Sequence, residues 1–147
     1  MDNREISLKL LVVLSKAYKF VMDHAVKDMK KMGLSESEFT VLELLYHKGR
    51  IPLQRIGERL LVTSGSITYT IDKLENKGYL NRVACPEDRR VTYAEISPAG
   101  AELFDRIFPL HAEVIESVMD GLTLEEKQAA ITLLKKLGKA AQEHRPS

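Results

Sequence analysis

The chain has 147 residues, 44% apolar and 29% charged, which is the make-up of an ordinary folded domain and short for an α/β enzyme. Its net charge of +1 excludes a blanket attraction to polyanions, and its single cysteine excludes an internal disulfide or a cysteine-built zinc site. The longest wholly apolar run, residues 10–14, cannot span a bilayer, and the polar start is no secretory signal, so a cytoplasmic protein with no membrane partner is expected.

A long first helix is predicted from about Glu5 to Met32. Ile6, Leu10, Val13, Leu14, Ala17, Val21 and Ala25 recur at helical spacing, while Leu8, Leu11, Val12, Tyr18, Phe20 and Met22 widen the apolar surface beyond one stripe. A helix apolar on more than one side needs more than one partner. Gly33 ends it. Ser35 and Glu38 form a capping box that opens a second helix through Val41, Leu42, Leu45 and Tyr46, closed by Gly49. Ile51 and Pro52 suit only a brief extended link, because proline has no N–H to donate to a ladder. Leu53, Ile56 and Leu60 mark a short helix, and a turn of about three residues then leads to the next one, with Thr63 or Ser64 as its cap.

From Thr63 to Lys77 the apolar residues Ile67, Ile71 and Leu74 make one narrow stripe, which leaves the opposite surface free. That surface holds Thr63, Ser64, Gly65, Ser66, Thr68, Tyr69 and Lys73. Small residues, hydroxyls and a cation suit an element pressed into a nucleic-acid groove. Gly78 stops the helix in the manner of a left-handed C-cap. Residues 79–84 and 91–96 are short runs rich in β-formers, and the charged loop between them, with Asp88, Arg89 and Arg90, makes a hairpin tip. Two short helices joined by a tight turn are common in helical proteins; the basic hairpin downstream makes this pair a winged helix-turn-helix. Residues 50–90 hold eight Lys or Arg against five acids, net +3, whereas residues 98–147 hold six against eight, net −2. The positive field therefore lies in the proposed DNA lobe.

The stretch Asp88-Arg89-Arg90-Val91, followed after five residues by Ser97-Pro98-Ala99-Gly100 and preceded by Leu74 to Leu80 with Gly78 inside, resembles the MarR (multiple-antibiotic-resistance regulator) family of winged helix-turn-helix repressors. The likeness runs from Ile6 to about Ala141. It implies that the Asp88 carboxylate orients the Arg90 guanidinium toward DNA, and that a cleft near Tyr18, His24, Tyr46 and His47 takes an aromatic acid or phenol as effector. Ordinary packing and surface roles are the bland alternative for those four. Tyr69 departs from the family pattern, standing where such proteins often carry Arg or Lys.

Pro98 then sits in a favoured first-turn position, and Leu103, Ile107, Leu110, Val114 and Val118 continue a helix to about Met119, with a kink expected near Pro109. Thr123 and Glu126 form another capping box, and Ala130, Ile131, Leu134, Leu137 and Ala141 run down the last helix. The first helix and the last two present more apolar stripe than one lobe can bury, so a homodimer is expected. Residues 1–34 and 98–147 would supply its helical bundle, and residues 35–97 the winged helix-turn-helix lobe, within a single mainly α domain carrying a small β-hairpin. Such a bundle would hold two recognition helices about one DNA turn (~34 Å) apart, as a pseudo-palindromic operator requires.

His24, His47, His111 and His144 are scattered without metal-ligand spacing, and the glycines fall singly, so no metal, cofactor or catalytic role is expected. Cys85, beside Arg82, Arg89 and Arg90 in sequence, is either an incidental small apolar residue or a redox sensor. The reading is a homodimeric repressor that binds double-stranded DNA and is released by a small aromatic or phenolic ligand or an oxidant. A winged helix that binds a partner protein rather than DNA is the other reading.

Overall fold

The computed structural model describes residues 1–60 and 64–146. Helix α1 spans Asn3–Lys31, α2 Glu36–Lys48, α3 Leu53–Leu60 and α4 Ser64–Asn76. Strands β1 (Ile51–Pro52), β2 (Leu80–Ala84) and β3 (Thr92–Ile96) form one antiparallel sheet, and α5 (Pro98–Val118) and α6 (Leu124–Glu143) complete the chain.

Local chemistry sets most of these boundaries. Ser35 accepts from the Glu38 N–H at 3.1 Å while Glu38 accepts from the Ser35 N–H at 3.0 Å, so two of the donors left open at the start of α2 are satisfied. Thr123 and Glu126 do the same for α6. A third box, Asp2 with Glu5, starts α1 two residues before the predicted beginning. Gly33, at φ +81°, follows α1, and Gly49, at φ +79°, ends α2, which side chains other than glycine rarely tolerate. The turn residues 61–63, and with them the proposed Thr63 cap, lie outside the described residues; the side chains of Ser64 and Gly65 do too.

The wing differs from the predicted two-stranded hairpin. Ile51 and Pro52 pair with Ala94 and Tyr93, so β1 is a third strand and the sheet order is β1-β3-β2. Proline is tolerated there because β1 is short and lies at the edge, where no second neighbour needs its missing N–H. Arg50 reinforces this edge: its guanidinium donates to Glu95 at 2.9 Å and lies over the Tyr93 ring. Helix α5 continues through Pro109 to Val118.

The core is centred on α2. Phe39, Val41, Leu42 and Leu45 are buried against Ile56 of α3, Ile67, Ile71 and Leu74 of α4, Leu80 and Ala94 of the sheet, and Leu103, Phe104 and Ile107 of α5. From α1 only Ala25 and Met29 are buried, and none of α6 is. Within α1, residues 3–20 stay exposed in the single chain, Ile6, Leu8, Leu10, Leu11, Val12, Val13 and Leu14 among them. No helix is long and apolar enough to cross a membrane among the described residues.

Candidate nucleic-acid interface

Helix α4 buries Ile67, Ile71 and Leu74 as their spacing predicts, and Thr70 beside them, whose hydroxyl donates to the Ser66 carbonyl at 3.0 Å. The outward face carries Ser66, Thr68, Tyr69, Asp72 and Lys73. Tyr69 is 64% exposed, and the Lys73 ammonium lies 5.2 Å from its ring centre. One turn apart on a helix, these two restrain each other, so the cation is held over a flat apolar surface.

The C-terminal end of α4 is tied to the helix that leaves the wing. Gly78 takes φ +83°, and Tyr79 donates its N–H to the Leu74 carbonyl at 3.0 Å, which closes the helix in a Schellman-type turn. Ser97 then makes three contacts at this junction. Its hydroxyl donates to the Gly78 carbonyl at 2.6 Å and accepts from Gly100 N–H at 3.0 Å, and its own N–H donates to the Tyr79 carbonyl at 3.0 Å. Gly100 has no Cβ to spare: one built there would lie 2.2 Å from the Tyr79 carbonyl oxygen. Only glycine lets the first turn of α5 press against the start of β2.

On the other side of α4, Arg82 of β2 reaches back to the recognition helix. Its Nη1 lies 2.6 Å from Glu75 and its Nη2 2.5 Å from Asp72, and the Asp72 hydrogen bond raises its pKa further above the ordinary arginine value. At the helix's end Lys77 sits 2.7 Å from the buried Glu38 carboxylate of α2 and donates to the Gly33 carbonyl at 3.3 Å. The contact pairs the ammonium with a carboxylate whose side chain is almost wholly buried. Burial alone would raise the Glu38 pKa, but Lys77 together with the Ser35 N–H and hydroxyl outweighs it and holds the acid below its ordinary value.

At the wing tip, Asp88 and Arg90 are paired as the family resemblance implies. The guanidinium donates to both carboxylate oxygens, at 3.1 and 3.3 Å, and the Arg90 backbone N–H donates to Oδ1 at 3.0 Å. The guanidinium first, and the N–H second, lower the Asp88 pKa. Arg90 is nonetheless 92% exposed, a fork aimed outward and held by one end. Arg89 is exposed beside it. Cys85 is half-buried at the base of the tip, its N–H donating to the Val91 carbonyl at 3.1 Å.

The four residues assigned to an effector cleft fall into different surroundings. Tyr46 and His47 join Phe104 and Phe108 in an aromatic cluster between α2 and α5, and the Tyr46 hydroxyl donates to Asp105, which raises its pKa. His24 instead lines a groove of about 670 Å³ between α1 and α5, with Phe20, Val21, Glu113, Val114, Ser117 and Val118. Tyr18 is an exposed residue of α1. Sequence reasoning named Arg82 only as a neighbour of Cys85, Gly100 only within the family motif and Glu38 only as a capping residue, and missed the contacts that Arg82, Gly100 and the Glu38–Lys77 pair make. Arg82 had a signal in its place on the first wing strand, but only the fold brings it within reach of Asp72 and Glu75.

A recognition helix held at both flanks, with a hairpin projecting an oriented arginine beside it, is the architecture of winged helix-turn-helix regulators. The chain belongs to the MarR family of transcriptional regulators. The MarR family model matches residues 34–92. The HTH-type transcriptional regulator MhqR of Bacillus subtilis is 52% identical over 91% of this chain and 92% of its own length. Among solved structures, Sco3205 of Streptomyces coelicolor, a MarR family transcriptional regulator in complex with DNA, superposes with a TM-score of 0.84 at 18% identity, covering 98% of this chain and 91% of that one. BpsR of Bordetella bronchiseptica, whose structure addresses regulation of DNA binding by 6-hydroxynicotinic acid, does so at 0.79 and 22%, covering 88% and 98%. At those identities the two structures speak for the fold.

Proposed function

We propose that the protein is a homodimeric, cytoplasmic repressor that binds a pseudo-palindromic DNA operator and is released by a small aromatic or phenolic ligand or an oxidant. The observation that carries the DNA reading is the Asp88-held Arg90. An arginine fixed by a bidentate carboxylate yet almost wholly exposed is preorganised for an anion outside the chain, and duplex phosphate or a groove edge is the partner its neighbours suit. Tyr69, Lys73 and the hydroxyls of Ser66 and Thr68 would face the major groove.

Dimerisation is supported by the apolar surface the single chain leaves uncovered. Leu8, Leu10, Leu11, Val12 and Val13 of α1 and Leu124, Ile131, Leu133 and Leu134 of α6 are all at least about half exposed, and clustered exposed apolar side chains of this kind mark an interaction surface. Residues 1–34 and 98–147 would therefore build the shared bundle. The ligand part rests on the groove that holds His24, on the aromatic cluster of Tyr46 and His47, and on the precedent of a fold neighbour regulated by an aromatic acid.

The test is selection of duplex fragments from a random pool by the purified protein, followed by titration at several salt concentrations. Enrichment of an inverted repeat is expected, with affinity falling as salt rises in proportion to the phosphates neutralised. No enriched sequence and no salt-dependent duplex binding would refute the DNA reading. Sedimentation at micromolar concentration checks assembly, where a stable folded monomer would refute the dimer. A panel of aromatic acids, phenols and oxidants that leaves operator affinity unchanged would refute the release mechanism.

A further inference from the structure

A helix laid in a DNA groove is flanked by phosphates, about one negative charge for every 1.7 Å of duplex axis. The outer part of α4 nevertheless carries two acids, Asp72 and Glu75, three residues apart and so on one side of the helix. Both are substantially exposed, next to the Lys73 and Tyr69 that the proposed function turns toward DNA. Left alone, this pair would repel the backbone that the rest of the face is built to meet.

Arg82 is placed to cancel them. Its guanidinium splits between the two carboxylates, Nη2 on Asp72 Oδ1 at 2.5 Å and Nη1 on Glu75 Oε1 at 2.6 Å, while its backbone N–H points at Glu75 Oε2 from 3.4 Å. The Arg82 side chain is 29% exposed, less than the 54% of Asp72 and the 40% of Glu75 that it holds. A planar fork can hold two separate carboxylates at once in a way that the point charge of a lysine cannot. Arg82 also comes from β2, so the bond that quiets the acids is the same bond that fixes the wing to the recognition helix.

We propose that Arg82 is a positioning residue that masks Asp72 and Glu75, making the outer face of α4 compatible with a phosphate backbone without itself contacting DNA. The proposal rests on the duplex-binding reading above. It separates two kinds of role: an arginine that touches phosphate cannot be replaced by deleting an acid, whereas a mask becomes dispensable once the acid it covers is neutral.

The experiment is a titration of operator duplex, selected with the wild-type protein, against Arg82→Met, Asp72→Asn and the double variant, with thermal unfolding of each. Arg82→Met should weaken binding by about ten-fold or more, because it removes one cation and uncovers two anions beside the duplex. Asp72→Asn alone should stay within about three-fold of wild type, and in the Arg82→Met background it should recover most of the lost affinity. Arg82→Lys, which keeps the charge and loses the fork, should fall between, and it serves with Asp72→Asn as the alternative pair if Arg82→Met does not fold. Wild-type affinity for Arg82→Met overturns the proposal. So does a loss that Asp72→Asn leaves unrepaired, the signature of a direct phosphate contact or of a purely structural brace. If the wild-type protein binds no duplex at all, the functional reading fails with it, whereas intact wild-type binding with no repair refutes the mask alone.

Discussion

Replacing Gly100 by alanine adds one methyl group at the point where α5 presses on β2. That methyl would sit 2.2 Å from the Tyr79 carbonyl oxygen and 3.0 Å from its carbon, both backbone atoms, and 2.8 Å from Ile96 Cγ1. The Ile96 side chain can turn away, but the backbone must open by about 1 Å to reach an ordinary contact. Overpacking of this kind costs about 1 to 3 kcal/mol. Moving Tyr79 also strains the hydrogen bond from the Ser97 N–H to its carbonyl, worth about 1 kcal/mol. Against this stands the helix propensity that alanine adds over glycine, about 1 kcal/mol at most so close to the helix start. The net expectation is a loss of about 1 to 3 kcal/mol, which for a typical urea slope of about 1 to 3 kcal/mol per molar moves the unfolding midpoint down by about 1 M. Because a dimer's stability depends on concentration, wild type and variant must be compared at the same protein concentration. A Gly100→Ala midpoint equal to or above wild type would show that the junction yields freely, and the reasoning from close approach would be wrong.

Arg90→Ala should weaken operator binding by about ten- to a hundred-fold, the range for one good DNA contact, and Asp88→Ala by part of that. Their double variant should fall short of the sum, since both remove one interaction; full additivity in the titration would separate the two roles. Lys77→Met should raise the Glu38 pKa from its depressed value, since it removes the partner that does most to offset burial; a side-chain NMR titration that finds no upward move would refute this. In the wild type the depressed pKa means that the Glu38 contribution to stability is in place above pH 4.5 and is lost as pH falls through its lower folded value, so acid should erode the difference between wild type and Lys77→Met. Cys85→Ser should fold and bind operator like wild type, since the half-buried thiol does not belong to the core; wild type losing DNA on oxidation while the Ser variant keeps it would instead assign the residue a sensing role.

Periodicity and punctuation carried much of the fold. The Ile67, Ile71 and Leu74 stripe, the Ser35 and Thr123 boxes and the stop at Gly78 each depend on residues within one or two turns of one another, and all are found as read. The Asp2 and Glu5 box obeys the same local rule and was there to be found in the first five residues. The Asp88 and Arg90 contact was legible for the same reason, the two residues being two apart in a tip. What the sequence could not decide is whatever joins distant segments. The pairing of Ile51 and Pro52 with β3 crosses more than forty residues, and a two-residue strand has no pattern of its own. Arg82 on Asp72 and Glu75, Lys77 on Glu38 and Gly100 against Tyr79 all depend on where the chain turns back on itself. A charged residue's sequence neighbours do not say which opposite charge will lie within a few ångströms of it, and a glycine's do not say which backbone will press on its missing Cβ. Tertiary packing decides both.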